Sequence, residues 1–392
     1  MKTYDWIVVG NGLAGAAVGY ELTHLGHDVL VLEQSEQSNS ATRYSYGGVP
    51  YWAGTTEITR QLAAEGIERH RNLSEELGKS TEFRELDLLM PIDVGIDPVA
   101  IAQDYQKFAI PPQLISVAEA CEIEPQLNAD VIAGALIVGH GHVNPMAVVQ
   151  AYNHAMVQQG GELKIAPVTG LVRIGDRVTG VTTLTQAYAA ANVIIAAGAY
   201  SRQMMQATGL PIKLYFTQAE MVRTPPVDFH LRSLVMPADL KRFDLEDQAS
   251  SIEMDNCWDA PNAAQDILPP ILDAGAIQLK DGSLCMGQIS RVRPSLHSDV
   301  DAAQSEAQIR AINEAWMPIL KGIPGTWHAC PVSFSRDKLP LVGPIPKVTG
   351  VHLFTGFSSP FSLLPPIAAR FARWVDGAED EMIPQMRPDR FA

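Results

Sequence analysis

A glycine-rich turn between two apolar runs dominates the first 33 residues. Residues 6–9 (Trp-Ile-Val-Val) form a short run typical of a buried parallel strand. The sequence Gly-Asn-Gly-Leu-Ala-Gly follows at residues 10–15, and residues 16–25 have the apolar spacing of a helix that ends before Gly26. A second apolar strand, residues 29–32, leads to Glu33. This order of strand, turn, helix, strand and acid predicts a Rossmann-type α/β unit.

Each glycine of the turn has a physical role in such a unit. Gly10 permits the tight turn, Gly12 lets the backbone approach a pyrophosphate, and Gly15 lets the helix pack closely on the strand. The helix N-terminus offers unpaired N–H groups and partial positive charge to phosphates. Glu33 follows Gly10 by 23 residues, where a carboxylate accepts hydrogen bonds from a ribose. The fingerprint therefore predicts dinucleotide binding and leaves FAD and NAD as alternatives.

The composition excludes several classes of protein. Acidic residues outnumber basic ones by 44 to 29, a formal net charge of −15, which disfavours nucleic acids and anionic membranes as partners. The four cysteines have neither CxxC nor metal-ligand spacing, so we expect no metal site and no disulfide framework; they are Cys121, Cys257, Cys285 and Cys330. The chain shows no signal peptide and no apolar run of about 18 residues, which predicts a cytoplasmic protein without an integral membrane segment.

Further along, the 392-residue length predicts two or three domains, or one large interleaved domain. Residues 38–48 lack a regular period and predict a loop near the cofactor. Helices are predicted at residues 56–77 (exposed), 145–155 and 301–320. Strands are predicted as a β-meander at 163–168, 171–174 and 178–184, and as further strands at 193–201, 215–222, 276–279 and 284–289. Residues 212–325 are interpreted as part of a separate substrate domain.

Four blocks of sequence resemble the FAD-dependent amine and amino-acid oxidoreductases, such as D-amino-acid oxidase, glycine oxidase and sarcosine oxidase. They are residues 10–33, 141–145, 193–201, and 337–344 with 350–357, in the family's order and over nearly the whole chain. The resemblance implies an α/β fold with an α+β second domain. It implies a Rossmann-type FAD-binding domain from discontinuous segments (1–85, 140–211 and 326–392) and a mixed-sheet substrate-binding domain (86–139 and 212–325).

The resemblance also assigns residues to FAD. By position, they are Gly10, Asn11, Gly12, Leu13, Ala14, Gly15, Glu33, Gln34, Thr42, Arg43, Gly47, Gly48, Val168, Ala197, Gly198, Cys330, Gly356, Phe357, Ser358 and Ser359. Residues 330–337 resemble the Cys-x-Tyr-Thr-x-x-Pro-Asp pattern of sarcosine and pipecolate oxidases, in which the Cys is bonded to the flavin. Our hypothesis is an 8α-S-cysteinyl link between Cys330 and FAD, and the alternative is a small buried thiol.

The chain departs from the family's pattern at the substrate-binding positions. Cys285 and Ile289 flank Gly287 where the sarcosine and pipecolate oxidases carry a Lys and a His. Leu363 stands where they have a carboxylate-binding Lys, and Tyr46 where they have a second Arg. Specificity therefore cannot be transferred from these relatives.

Other residues of the matched blocks are candidates for the catalytic site. A guanidinium binds a carboxylate through two parallel hydrogen bonds, so we hypothesise that one of Arg43, Arg291 and Arg336 binds an acidic substrate. Tyr46 is predicted to lie in the same site. A histidine is the natural general base near neutral pH; the histidines considered, each expected to be structural, are His140, His142 and His328.

The favoured function is oxidation of the C–N bond of a small amine or amino acid by hydride transfer to flavin N5, giving an imine that hydrolyses. One alternative is an FAD-dependent 2-hydroxy-acid (C–OH) dehydrogenase, and another is a flavin-binding subunit of a hetero-oligomeric oxidoreductase. The electron acceptor is O2 or another compound, and the missing Lys predicts slow reaction with O2. Substrate identity is left open, and a homo-oligomer is one candidate state.

Overall fold

The structure is a computed structural model that describes residues 2–37, 39–259, 265–296 and 300–391. Ser38, in the predicted loop, lies outside the described residues. The strands are β1 (Thr3–Val9), β2 (Val29–Glu33), β3 (Gly48–Val49), β4 (Arg84–Asp93), β5 (Gln113–Ile115), β6 (Ile132–His142), β7 (Glu162–Ile165), β8 (Val168–Ile174), β9 (Arg177–Thr183), β10 (Ala187–Ile195), β11 (Tyr215–Pro226), β12 (Leu234–Val235), β13 (Ile271–Gln278), β14 (Ser283–Arg291), β15 (Thr326–Phe334), β16 (Leu341–Pro344) and β17 (Val351–Thr355). The α-helices are α1 (Leu13–His24), α2 (Ala41–Tyr44), α3 (Glu57–Glu76), α4 (Pro98–Asp104), α5 (Val117–Ile123), α6 (Pro145–Gln158), α7 (Tyr200–Ala207), α8 (Lys241–Ala249), α9 (Ala302–Trp316) and α10 (Pro360–Val375).

The first sheet has the strand order β16-β17-β10-β1-β2-β7. Strands β17, β10, β1, β2 and β7 are parallel, whereas β16 runs antiparallel to β17. Helices α1, α6 and α10 bury their apolar residues in a core shared with β1 and β2. Parallel strands covered on both faces have continuous apolar sequences, and every residue of β2 is buried. The predicted α/β class with a Rossmann-type unit is confirmed.

The glycine turn joins β1 to α1 through two close backbone contacts. Gly10 has φ = +102°, and a Cβ atom there would lie 2.8 Å from the Ala196 carbonyl oxygen. A Cβ atom on Gly15 would lie 1.8 Å from the Gly10 carbonyl oxygen. Only glycine fits these positions. Helix α1 begins at Leu13 rather than the predicted residue 16, because the Gly12 carbonyl already accepts the Ala16 N–H (3.0 Å).

The predicted β-meander differs from the observed arrangement by one strand. Strand β7 pairs in parallel with β2 and extends the first sheet, and α6 joins it to β6 of the second sheet. The antiparallel meander instead consists of β8, β9 and β10. Pro167, which has no backbone N–H, separates β7 from β8.

The second sheet is mixed, with the order β15-β11-β14-β13-β12-β4-β6-β3 and β5 paired to β6. Strand β15 was assigned to the FAD-binding domain, and it pairs with β11 along nine residue positions of this sheet. Strand β6 (Ile132–His142) crosses the proposed boundary at residue 140. The second sheet therefore draws on both proposed domains, and the domain boundaries stay a prediction.

One helix forms within a predicted loop, and another is less exposed than the sequence predicts. The predicted loop contains the single-turn helix α2, since the Ser40 hydroxyl accepts the Arg43 N–H (3.3 Å) and caps it. Helix α3 has the predicted location, with Thr56 as its capping residue, but one face is buried against α10. None of the helices in the described ranges is both long and apolar enough to cross a membrane.

Candidate active site

A cavity of about 890 Å³ lies between the two sheets. Val9, Leu32, Ala196 and Thr355 line it at the carboxyl ends of β1, β2, β10 and β17 or directly after them. Residues of β4, β6, β11, β13, β14 and β15 form the wall on the second sheet. Open α/β sheets bind ligands at the carboxyl ends of their strands. The cavity therefore occupies the position expected for a dinucleotide.

Glu33 is placed to bind a ribose at one end of the cavity. Its carboxylate accepts hydrogen bonds from the N–H groups of Asn11 (2.7 Å) and Gln34 (2.9 Å), which hold it at the end of β2. A carboxylate in this position accepts hydrogen bonds from ribose hydroxyls. Val168 and Arg173 of β8 line the same cavity.

The N-terminus of α1 forms the next part of the wall. The Leu13 N–H donates to the Thr42 hydroxyl (3.1 Å), which brings α2 against this helix end. Unpaired N–H groups and the helix dipole favour a bound phosphate here. Asn11 Oδ1 is buried with no hydrogen-bond partner in the described part of the chain. Asn11 itself does not line the cavity, so this oxygen gives no evidence of a bound group.

The segment that leads into α10 lines the cavity farther along. Gly356 has φ = +79°, a conformation that favours glycine, and it turns the chain away from β17. Ser359 precedes α10 without capping it through its side chain, so the first-turn N–H groups of the helix direct positive potential outward. Ser358 Oγ is buried and unpaired among the described residues. These features suit the polar carbonyl edge of a flavin, and together with Glu33 and α1 they fit FAD.

The structure brings most of the predicted cofactor residues to this cavity. Those that line it, together with the predicted catalytic Tyr46, are Gly10, Gly12, Leu13, Ala14, Glu33, Gln34, Thr42, Tyr46, Gly48, Val168, Ala197, Gly198, Cys330, Gly356, Phe357, Ser358 and Ser359. Those that do not line it are Asn11, Gly15, Arg43, Gly47, Arg291 and Arg336. The two glycines of the second group serve backbone packing, since a Cβ on Gly47 would lie 2.1 Å from the Val143 carbonyl oxygen.

The predicted substrate-binding arginines are held elsewhere. Arg291 is paired with Glu220 (2.6 Å) and with a second carboxylate, Asp266 (3.0 Å). Arg336 is paired with Asp255 (2.9 Å) and donates to the Ser250 carbonyl. Both guanidinium groups are therefore already paired. The residues that neighbour each arginine in the sequence do not indicate which carboxylates pair with it. Arg43 lies 5.9 Å from the ring centre of Tyr44, outside the cavity lining.

The histidines considered from the sequence have local partners. Trp52 Nε1 donates to His140 Nδ1 (3.0 Å), and burial lowers the pKa of His140 to about 3. His142 accepts from Arg84 and contacts the Tyr46 carbonyl (3.0 Å); burial also lowers its pKa to about 3. Both rings are therefore neutral at physiological pH. The His328 ring stacks on a tyrosine of α2, with 4.4 Å between ring centres.

Cys330 and Cys285 lie in the same buried cluster but differ in access to the cavity. Cys330 lines the cavity, whereas Cys285 does not. Burial raises the pKa of the Cys330 thiol to about 12 and that of Cys285 to about 11. Both are protonated at neutral pH. Their different positions make them a matched pair for testing attachment of the flavin.

Beyond the nucleotide-binding part, the cavity continues into what we call the substrate compartment. Its residues combine an apolar wall with several charged groups that the sequence analysis missed; they are Trp52, Leu88, Met90, Tyr105, Phe108, Met221, Met236, Asp239, Arg242, Glu246, Asp273 and Gln288. Arg242 is on α8, and its Nε donates to Glu246 (3.0 Å), which is 2% exposed. No motif marks these residues, because they come from separate segments that meet only in the folded chain.

Asp273 and Tyr46 give the compartment two further polar groups. Burial raises the pKa of the Asp273 carboxyl to about 7, and the charge of Asp239 adds to this effect, while Arg242 opposes it. Burial also raises the pKa of Tyr46 well above its usual value, so its hydroxyl is neutral. That hydroxyl has no hydrogen-bond partner among the described residues, and it approaches Gly287, where a Cβ would lie 2.3 Å from it.

Several curated relatives are named as oxidases or dehydrogenases. The glycine oxidase of Geobacillus kaustophilus is 27% identical over 238 residues, which cover 57% of this chain and 62% of that protein. The 4-methylaminobutanoate oxidase (formaldehyde-forming) of Paenarthrobacter nicotinovorans is 24% identical, covering 94% of this chain and 43% of the relative. The mitochondrial dimethylglycine dehydrogenase of Homo sapiens is 26% identical, covering 90% and 40%. The chain thus spans 40–62% of the length of these relatives.

Solved structures share the fold along the whole chain. Glycine oxidase from Geobacillus kaustophilus superposes with a TM-score of 0.79 at 20% identity, covering 99% of both chains. L-proline dehydrogenase from P. horikoshii has a TM-score of 0.79 at 19% identity, covering 100% of this chain and 98% of the other. The family model described as FAD dependent oxidoreductase matches residues 5–374. The chain therefore belongs to the FAD-dependent oxidoreductase family.

Proposed function

We propose that this flavoenzyme oxidises the C–N bond of a small amine or amino acid to an imine, which then hydrolyses. Bound FAD would supply the redox chemistry by accepting a hydride at N5. The observation that carries the proposal is the substrate compartment, where Arg242 and the acidic residues Asp239, Glu246 and Asp273 line one cavity with apolar residues. Such a compartment offers partners both for an amine and for a carboxylate.

The apolar part of the compartment supports a reaction that needs a dry environment. The Trp52 ring lies 5.1 Å from the Phe108 ring and 6.3 Å from the Tyr105 ring, measured between centres. This aromatic cluster excludes water from one side of the compartment. Exclusion of water strengthens the electrostatic contacts that orient a small substrate and protects a reactive product from premature hydrolysis.

The charges favour an amine over the alternative 2-hydroxy acid. A hydroxy acid is anionic and brings no cation for Asp273, which has no ion-pair partner among the described residues, whereas the other cavity carboxylates, Asp239 and Glu246, are paired. An amino acid brings an ammonium group as well, and an amine brings only the ammonium group. The names of two curated relatives, glycine oxidase and dimethylglycine dehydrogenase, agree with this chemistry.

The proposal is tested by anaerobic reduction of the purified flavoenzyme. Amines, N-methylated amino acids and free amino acids of both configurations are added separately, and the visible flavin band is followed. We expect bleaching by at least one compound with a C–N bond, together with formation of the matching carbonyl product and release of an amine or ammonia. Bleaching by 2-hydroxy acids alone would establish the C–OH alternative. No bleaching, with stable co-purification of other chains, would favour the flavin-binding subunit.

A further inference from the structure

We propose that Asp273 binds the ammonium group of a zwitterionic amino-acid substrate and accepts one of its N–H protons, while Arg242 binds the substrate carboxylate. This inference rests on the proposed function, because it concerns the same cavity. It narrows the substrate class from amines in general to molecules that carry both charged groups.

A β-bulge places Asp273 at the cavity. In the β13–β14 pair, Leu272 is opposite Ile289 and Gly275 is opposite Gly287, so β13 advances three residues where β14 advances two. Asp273 lies within this irregular step and lines the cavity. A bulge redirects a side chain relative to the regular alternation of a strand, and bulges are frequent next to active sites.

Among the described residues, the terminal nitrogens of Arg242 and the Asp273 carboxylate have no hydrogen-bond partner. Glu246 accepts the hydrogen bond from Arg242 Nε (3.0 Å), so the two terminal nitrogens of the guanidinium remain for a carboxylate. Arg242 and Asp273 both line the cavity, yet no ion pair joins them in the described part of the chain. A zwitterion between the two groups would give each an opposite charge.

The remaining titratable groups near Asp273 do not supply it with a partner. Asp239 contributes a like charge and is paired with Lys241 (2.7 Å), whose positive charge, like that of Arg242, opposes the rise in the pKa of Asp273. Tyr46 and Tyr105 also face Asp273, and burial keeps both hydroxyls neutral by raising their pKa values. No hydrogen bond to the Asp273 carboxylate is present among the described residues. A substrate ammonium group therefore satisfies a group that the chain leaves unpaired.

The proton transfer prepares the substrate for oxidation. An ammonium nitrogen has no lone pair to support loss of hydride from the neighbouring carbon. When the N–H bond breaks, the proton passes to an Asp273 oxygen and the electron pair stays on nitrogen. Charge is balanced, since an ammonium and a carboxylate become a neutral amine and a carboxylic acid. No oxidant or reductant takes part in this step.

The pH dependence of binding follows from the same geometry. Because burial and the nearby Asp239 raise the pKa of Asp273 to about 7, its carboxyl changes charge near neutral pH. Only the ionised form attracts a cation. Affinity for an amine should therefore rise as the pH increases through about 7 and fall at lower pH. Pyrrolidine is a suitable probe because it stays protonated throughout this range.

The test uses the flavoenzyme and three ring compounds of similar size. Proline carries both groups, pyrrolidine carries only the amine, and cyclopentanecarboxylate carries only the carboxylate. Alanine, ethylamine and propionate form a second set. Binding is measured anaerobically from changes in the flavin spectrum for wild type, Asp273→Asn and Arg242→Met. Asp244→Asn, on the exposed side of α8, and Arg71→Met, on the exposed face of α3, are the matched controls.

We expect Asp273→Asn to weaken binding of the amine-only probes by about 10- to 100-fold and to leave the carboxylate-only probes within about twofold. Arg242→Met should show the reverse pattern, and both controls should match wild type. Equal effects of Asp273→Asn on both probe types would overturn the assignment. If this variant does not fold, the wild type still decides, because pH-independent pyrrolidine affinity between about pH 5.5 and 8.5 contradicts the proposal.

Failure of the proposed function gives a different pattern. In that case no amine or amino acid reduces the flavin of the wild type. If only the present inference fails, an amino acid still reduces the wild-type flavin, whereas Asp273→Asn and Arg242→Met bind and react as wild type does. Selective reduction by simple amines, with amino acids inactive, would keep the C–N chemistry and reject the zwitterion.

Discussion

Burial controls the titration of single side chains around the cavity. It raises the pKa of Asp273 to about 7 and that of Cys330 to about 12, and it lowers the pKa of His140 to about 3. In each case, loss of water disfavours the charged form. At neutral pH the thiol and the imidazole are consequently uncharged. Asp273 is the member of this group whose charge changes near neutral pH.

The shifted pKa of Asp273 predicts a pH-dependent stability. Since its folded-state pKa exceeds the unfolded value of about 4, its contribution to the free energy of unfolding is most favourable below pH 4 and is lost as the pH rises through 7. Asp273→Asn should therefore raise the unfolding free energy of the substrate-free flavoenzyme, by on the order of 1–4 kcal/mol at pH 8 and by less at pH 4. Thermal unfolding at both pH values checks this, with Asp244→Asn as the control. An equal change at both pH values contradicts it.

The covalent link through Cys330 remains a prediction at the residue scale. Cys330 lines the cavity and Cys285 does not, although both thiols are buried. We expect acid-precipitated wild type and Cys285→Ala to keep the yellow colour in the pellet, and Cys330→Ala to release it. Absorbance spectra of pellet and supernatant measure the distribution. Release of all colour from the wild type would show that no link exists.

At the scale of elements, the crossing of α3 and α10 links stability to the flavin end of the cavity. A Cβ on Gly66 would lie 1.8 Å from the Ser362 carbonyl oxygen. Gly66→Ala should separate the helices, cost about 1–3 kcal/mol, and displace the start of α10 that lines the cavity. Thermal unfolding and the ratio of flavin to protein after purification test this. Ala64→Gly, on the exposed face of α3, should cost about 1 kcal/mol with normal flavin content.

Helices and strands that are determined by residues within or next to them could be predicted from the sequence. Strands β1 and β2 follow from apolar runs, α1 from the glycine turn, and α6 from Asn144, whose side chain accepts the Met146 N–H (3.1 Å) ahead of Pro145. Features that depend on pairing with a strand elsewhere in the chain could not be predicted. The position of β7 depends on its pairing with β2, and the bulge at Asp273 depends on the register with β14. The residues of one segment alone do not determine either pairing.

At the scale of the whole molecule, the candidate active site also combines residues that act within one segment with residues brought together from distant segments. The fingerprint residues Gly10, Gly12 and Glu33 act within one short segment, so their placement at the cavity could be predicted. The substrate compartment could not, because Arg242 and Asp273 are separated by 31 positions and share no motif. Arg291 was proposed from its position in the chain, but the partner that holds it, Glu220, lies on a neighbouring strand. Long-range charge pairing decides which arginine remains available.

The charges lining the cavity also predict the reactivity of the reduced enzyme with O2. Superoxide is anionic, so its formation is favoured by a cation beside the flavin. Among the described cavity residues there is no lysine; the arginines are Arg173 and Arg242, and the second is accompanied by Asp239, Glu246 and Asp273. In stopped-flow experiments, we expect the reduced wild type to be reoxidised slowly by O2 and faster by an artificial acceptor such as ferricenium. At pH 8, where the wild-type carboxylate is ionised, reduced Asp273→Asn should react with O2 several-fold faster than the wild type. Asp244→Asn should match wild type. Rapid reoxidation of the wild type by O2 would establish an oxidase.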